Sequence, residues 1–177
     1  MPSSARLGSP VPHAIVATRF GVVRAALVAR DAAAPAAPAG VGVEAASPEA
    51  IRDSWRSALV ALRLTDPAHP VVRADDLGVL LSLAEVEDQR PTVHPDVAAV
   101  ERLLGSGWTE PVLRGIAAGS SVRTLAAEAG LHHSSMDARL QKLTAALGYD
   151  PMASTGRTRL DVALMLHRLA RARIDGG

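Results

Sequence analysis

The chain has 177 residues, no cysteine, 48% hydrophobic residues and a formal net charge of +1, the make-up of one or two small globular modules. The lack of cysteine excludes a disulfide framework, a thiol nucleophile and the cysteine-based zinc sites. Aromatic residues are 2% of the chain, namely Phe20, Trp55, Trp108 and Tyr149, too few for stacking platforms that hold single-stranded nucleic acid or for an aromatic carbohydrate site.

The core must therefore be made of Leu, Val and Ala. The longest strongly apolar stretch without a charge, residues 77–84, is far shorter than the roughly 18 residues that span a bilayer. Residues 11–29 are interrupted by Arg19 and Arg24 and carry no cleavage pattern, which argues against a signal peptide. No membrane partner is expected, and the cytoplasm is the expected location. Lys142 is the only lysine among 19 basic residues, and the abundance of Arg and Ala reads as the coding bias of a GC-rich genome.

Residues 14–29, AIVATRFGVVRAALVA, hold two β-branched runs about Phe20-Gly21 and predict a β-hairpin. The Ala/Pro stretch at 31–40, DAAAPAAPAG, reads as a loop or linker. Val41-Gly42-Val43-Glu44 is a third short apolar run. After it, Ser47-Pro48-Glu49 predicts a helix start with Ser47 as N-cap and Pro48 at the first helical position.

Over 48–64, Ile51, Trp55, Ala58, Leu59 and Leu62 recur at three- and four-residue steps, with Arg52, Asp53, Arg56 and Arg63 off that stripe. This predicts an amphipathic helix packed on a sheet. Asp66-Pro67 and His69-Pro70 end it, Val71-Val72-Arg73 predicts a strand, and Asp75 or Asp76 caps a helix over 77–86. The order is β-β-β-α-β-α.

The charged, proline-containing run EDQRPTVHPD at 87–96 marks a module boundary. Beyond it only helices are predicted, over 97–104, 109–118, 121–129, 134–147 and 157–173, the second opening on Thr109 as N-cap with Glu110 in its first turn. The fold class is thus an α+β N-terminal module followed by an all-α helix-turn-helix domain, with a module at 11–86, a linker at 87–96 and the helical domain at 97–173. Charge divides in the same way. Before Val97 there are 9 Arg against 11 Asp and Glu, and from Val97 onward 10 Arg and Lys against 7, so the basic excess falls on the helical half, where a polyanion would bind.

Within that half, residues 122–141, VRTLAAEAGLHHSSMDARLQ, have the pattern of a helix-turn-helix. Small Ala126 sits where two helices cross, Gly130 supplies the left-handed turn, and Met136 closes the core, with Leu125, Ala129, Leu131 and Leu140 as further buried contacts.

The positions Ser121-Val122, Ala126-Ala127, His132, Ser134-Ser135-Met136, Arg139-Leu140, Leu143 and Leu147-Gly148 keep a regular spacing. Arg157 or Arg159, Leu160, Ala163-Leu164, Leu166 and Arg168-Leu169 continue it. In this run the chain resembles the C-terminal DNA-binding domain of the purine catabolism regulator (PucR) and carbohydrate diacid regulator (CdaR) family of bacterial transcription factors. Upstream, Val41-Gly42-Val43, Ser54, Ala58, Leu62, Val71-Val72, Asp75-Asp76-Leu77-Gly78 and Leu80-Leu81 look like the end of the GGDEF-like domain that precedes it in that family. No GG(D/E)EF sequence occurs, so the resemblance implies a shortened, degenerate module for dimerisation or sensing and not a cyclase. The family's Asn-Thr-Val is replaced by Ser134-Ser135-Met136 and its Tyr by Ala138, while Asp137 puts a carboxylate one turn into the recognition helix.

The first turn of a recognition helix faces the major groove, so His132, His133, Ser134, Ser135 and Asp137 are the candidates for base edges, Asp137 by accepting from cytosine N4. Ser121, Arg123, Arg139, Gln141 and Lys142 are the candidates for phosphates. In the competing structural account His132 caps the turn, Arg139 pairs with Glu128 or Asp161, and Arg168, Arg171 and Arg173 form a solvated face.

Adjacent His132 and His133 point apart, and no carboxylate completes a regular ligand spacing, so no metal or other cofactor is expected. There is no G-x-S-x-G elbow, and Gly105-Ser106-Gly107 is not followed by a phosphate-loop lysine, so no enzymatic activity is expected. The function expected is a transcriptional regulator that binds double-stranded DNA as a homodimer. The alternative is a module that kept this fold and binds a protein partner, another regulator or subunit, in place of DNA.

Overall fold

Alternating β-branched residues either side of a two-residue turn pair as a hairpin, β1 (His13–Thr18) with β2 (Gly21–Ala26), antiparallel with Val16 opposite Val23. The computed structural model describes residues 12–29, 32, 35 and 38–174. The expected module start at residue 11, and Asp31 with several alanines of the Ala/Pro stretch, lie outside the described residues. Thr18 closes the turn with its side chain: Oγ1 accepts the Phe20 N–H at 3.1 Å and donates to the Gly21 carbonyl at 2.8 Å. Gly21 has φ +134, and a Cβ there would strike the Ile174 carbonyl, whose own N–H donates to the Phe20 carbonyl at 2.7 Å. Only glycine satisfies both the backbone angle and the close approach.

The second pairing is parallel, β3 (Ala39–Val41) with β4 (Val71–Arg73), and α1 (Ile51–Arg63) is the crossover that a parallel pair requires. A Cβ on Gly40 would lie 2.2 Å from the Ala58 carbonyl oxygen and one on Gly42 2.1 Å from that of Ser54, so the two glycines let this segment press against the helix backbone. Buried Ser57 fixes the contact: its Oγ accepts the Val43 N–H at 3.0 Å and donates to the Ser54 carbonyl at 2.9 Å.

Several expectations for this unit are corrected. The strands form two separate two-stranded sheets, and the sheet on which α1 packs is the pair β3 and β4. The helix starts at Ile51 and not at Pro48, because residues 47–51 first make i to i+3 turns, Ala50 N–H to Ser47 and Ile51 N–H to Pro48. Ser47 does not cap; its hydroxyl serves the Glu49 carboxylate and holds it below its ordinary pKa. The most buried face of α1 is Ser57, Val60, Ala61 and Arg63, whereas Ile51 is exposed. Arg63, expected in solvent, lies with its guanidinium 3.7 Å from the Phe20 ring centroid, where the ring face attracts it. Asp75 and Asp76 fall in a single 3₁₀ turn, Ala74–Asp76, and the N-cap of α2 is Gly78 at φ 52.

The chain divides into compact units after Leu77, with residues from Ala172 onward joining the first. The second unit is helical: α2 (Val79–Gln89), α3 (Pro95–Gly105), α4 (Glu110–Ala117), α5 (Val122–Glu128), α6 (His133–Leu147) and α7 (Ser154–Arg171). The predicted linker at 87–96 shrinks, because α2 runs on to Gln89 and α3 begins at Pro95. His94 joins them: its N–H donates to Glu87 Oε1 at 3.1 Å and its Nδ1 accepts the Asp96 N–H at 3.1 Å. α2 thus belongs with the helices that follow it, not with the strands before it.

One core runs through this unit, with Val100, Leu113, Ile116, Leu125, Met136, Leu143 and Leu160 at its centre. Each such side chain contributes roughly 1.5–3 kcal/mol by leaving water. At its edge α3 is tied to α7 by charge. Arg159 holds Asp96 with both forks, at 2.6 and 2.8 Å, while stacking 4.2 Å above the Tyr149 ring. Glu101 accepts from Arg171 Nε at 2.9 Å and meets His167 Nε2 at 2.5 Å.

Arg159 keeps the Asp96 carboxyl below its ordinary pKa. A carboxylate depressed in the folded state adds stability above its unfolded value, about 4, and that stability is lost as pH falls from there through the folded value. Asp96→Asn is expected to flatten the acid limb of stability against pH and to leave its form above pH 6 unchanged. Urea denaturation followed by circular dichroism across this range checks it; an acid limb like that of the wild type would refute the assignment.

Candidate nucleic-acid interface

Two glycines shape the motif. At the end of α4, Gly119 takes φ +84, and Ser120 and Gly119 donate to the Gly115 and Ile116 carbonyls at 2.8 and 3.0 Å. At the end of α5, Gly130 takes φ +62, and Leu131 and Gly130 donate to Ala126 and Ala127 at 2.8 and 3.2 Å. Both are Schellman endings, in which a left-handed glycine satisfies the last free carbonyls. Between them Ser121 caps α5, its Oγ accepting the Thr124 N–H at 3.2 Å. The result is a short helix, a tight turn and the longer α6, with Leu125 and Ala126 of α5 buried with Met136 and Leu140 of α6 in one cluster.

The register of α6 follows from its apolar residues. Met136, Leu140, Leu143 and Leu147 form its buried face. Helical periodicity places Ser134, Ala138, Gln141 and Ala145 on the opposite face, and all four are exposed. Ser135 and Lys142 flank this stripe on one side, His133 and Asp137 on the other. The outward face thus carries nothing larger than Gln141, and such a helix can lie close to a groove floor.

The predicted base-edge residues gather on the first turns of α6, partly engaged with one another. His132 is the N-cap residue, but its side chain makes no capping bond; its Nδ1 meets Ser134 Oγ at 3.0 Å. His133 Nδ1 lies 2.9 Å from Asp137 Oδ2, so the carboxylate that departs from the family pattern has a partner one turn back. Ser135 is exposed.

Of the predicted phosphate residues, Ser121 and Arg123 stand at the start of α5, while Gln141 and Lys142 are exposed on α6. Arg139 is differently placed. Its guanidinium stacks 4.6 Å from the Trp108 ring centroid and donates to the Gly107 carbonyl at 3.1 Å, fastening α6 to the turn between α3 and α4. It pairs with neither Glu128 nor Asp161. In the basic tail, Arg171 is paired with Glu101 and Arg173 donates to the Ala172 carbonyl.

Sequence reasoning treated Ala138 only as a departure and gave Trp108 no role. The four-residue step from Ser134 was signal enough for Ala138, whereas the contact between Trp108 and Arg139 spans residues that only the fold brings together. Among the described residues, no three His, Asp or Glu side chains come together to hold a metal ion, and no helix is long and apolar enough to cross a membrane.

Comparison with curated proteins and with solved structures finds no match to the chain. The family-model match begins at residue 115 and so does not reach the upstream module for which a GGDEF-like origin is expected. Residues 115–166, from α4 through α5 and α6 into α7, match the model of the PucR C-terminal helix-turn-helix domain.

Proposed function

We propose that the chain is a transcriptional regulator that binds duplex DNA as a homodimer, with α6 in the major groove and α5 against the backbone. The observation that carries this reading is the outward face of α6. In a helix-turn-helix of this family type, the stripe Ser134, Ala138, Gln141, Ala145 is exposed and free of bulky side chains directly opposite the buried Met136, Leu140, Leu143 and Leu147.

Ser134 and Ser135 then reach base edges from the first turn, with His132 and His133 beside them, and the Ala138 methyl suits contact with a thymine methyl. The contact with His133 occupies one oxygen of Asp137 and leaves the other to accept from cytosine N4. Ser121, Arg123, Gln141 and Lys142 bind phosphates, which fix register without reading sequence. Arg139 acts through position: it holds the recognition helix against the turn at Gly107 and Trp108. A single module of this size buries too little surface for strong specificity, so two copies read half-sites about 34 Å apart. The strand-containing unit, read as a shortened GGDEF-like remnant, serves dimerisation or sensing.

A fluorescence anisotropy titration of labelled duplex tests this. Affinity should fall steeply with salt, on the order of 0.9 in log–log slope for each phosphate contacted. Arg123→Ala should weaken all duplexes alike, and Ser134→Ala should change the preference recovered by selection from a random pool. Binding that ignores salt, or no binding at all, refutes the proposal, and capture of a protein partner by a chain silent toward DNA would favour the protein-interaction alternative.

Arg139→Ala should behave unlike Arg123→Ala. It removes a cation–π contact of about 0.5–1 kcal/mol, so melting temperature should drop and Trp108 emission should change while the salt slope of DNA binding stays as in the wild type. A reduced slope would instead place Arg139 on phosphate.

A further inference from the structure

Most cations of the helical unit are held by its own acids and carbonyls. Arg90 pairs with Glu87, Arg114 with Glu110, Arg159 with Asp96 and Arg171 with Glu101, and Arg139 is bound to Gly107 and Trp108. Among the described residues, Arg102, Arg123, Lys142 and Arg157 have no side-chain hydrogen bond or ion pair. Arg123 and Lys142 already belong to the proposed interface. Arg157, on the first turn of α7, does not.

Its position is set by two glycines. A Cβ on Gly156 would lie 1.8 Å from the Asp150 carbonyl oxygen, so the start of α7 is pressed onto the Asp150-Pro151 backbone and the direction of the next side chain is fixed. At Gly119, in the turn between α4 and α5, a Cβ would come 3.6–3.8 Å from Nη1, Cδ and Cζ of Arg157. The side chain of Arg157, a residue of intermediate burial, therefore lies along this turn, two residues from Ser121 and four from Arg123. Asp161 stands one helical turn away, where an i,i+4 pair would form, yet Arg157 does not take it. A guanidinium held in this way has given up part of its rotamer freedom beforehand and keeps its fork of donors, which suits a phosphate oxygen pair.

We propose that Arg157 contacts a phosphate of the DNA backbone beside Ser121 and Arg123, so that α7 takes part in DNA binding along with α5 and α6. This rests on the duplex-binding reading above.

The test uses the full chain, titrated over a series of salt concentrations with the duplex recovered by selection and with an unrelated duplex. Arg157→Gln should weaken both by the same factor, roughly fivefold near 0.15 M salt, and reduce the log–log salt slope by about 0.9. Arg157→Lys should retain the slope, and Arg102→Gln, an unpaired arginine on α3, should change neither quantity. The slope does not depend on the fraction of active protein, so it decides the matter even if Arg157→Gln is less stable. A wild-type slope in Arg157→Gln overturns the α7 contact alone, whereas a wild-type chain that binds neither duplex overturns the DNA-binding reading and this contact with it.

Discussion

The buried stripe of α6 is the constraint on which the interface depends. Met136, Leu140, Leu143 and Leu147 cannot leave the core shared by α3, α4, α5 and α7 without exposing apolar surface, and this fixes the rotation of the recognition helix about its axis. Once that rotation is set, Ser134, Ala138, Gln141 and Ala145 face outward with no further instruction. The two Schellman turns at Gly119 and Gly130 then set where α5 begins and where α6 starts, because each ends a helix within two residues by a left-handed glycine. Packing decides the face presented, and backbone geometry decides its position.

Electrostatics within the helical unit works by subtraction. The excess of bases over acids in the C-terminal half is small, and the acids are used on particular bases at the ends of helices: Asp96 on Arg159, Glu101 on Arg171, Glu110 on Arg114. The side chains left without such partners are few, and two of them, Arg123 and Arg157, flank the turn between α4 and α5. A weak net charge is therefore compatible with a concentrated local one. The pairing of His133 with Asp137 is part of the same economy, since it partners the carboxylate nearest the proposed DNA face.

The strand-containing unit is held by backbone proximity more than by apolar bulk. Gly40 and Gly42 bring their backbone within a few ångströms of α1, Ser57 bonds across that contact, and the Phe20 ring carries the guanidinium of Arg63. Such contacts need small residues and one buried hydroxyl, and neither leaves a hydrophobic periodicity. For this reason the apolar stripe of Ile51, Trp55, Ala58, Leu59 and Leu62 misidentified the most buried face of the helix, and Ser47, well suited to cap it, was diverted by the turns over 47–51.

Local chemistry determined a good deal. The left-handed turn at Gly130, the buried Leu125, Ala126, Met136 and Leu140, and the resemblance of residues 121–169 to a known DNA-binding domain all lie in short-range pattern, because glycine conformation and helical periodicity act over a few residues. The tertiary structure alone decided what each charged side chain does. Arg139 meets Trp108 and Gly107 from more than thirty positions away, Arg159 meets Asp96 across 63, and Arg157 comes to rest on Gly119. An arginine has the same composition whether it grips a carboxylate, an indole or a phosphate, and only the fold determines which of them is within reach.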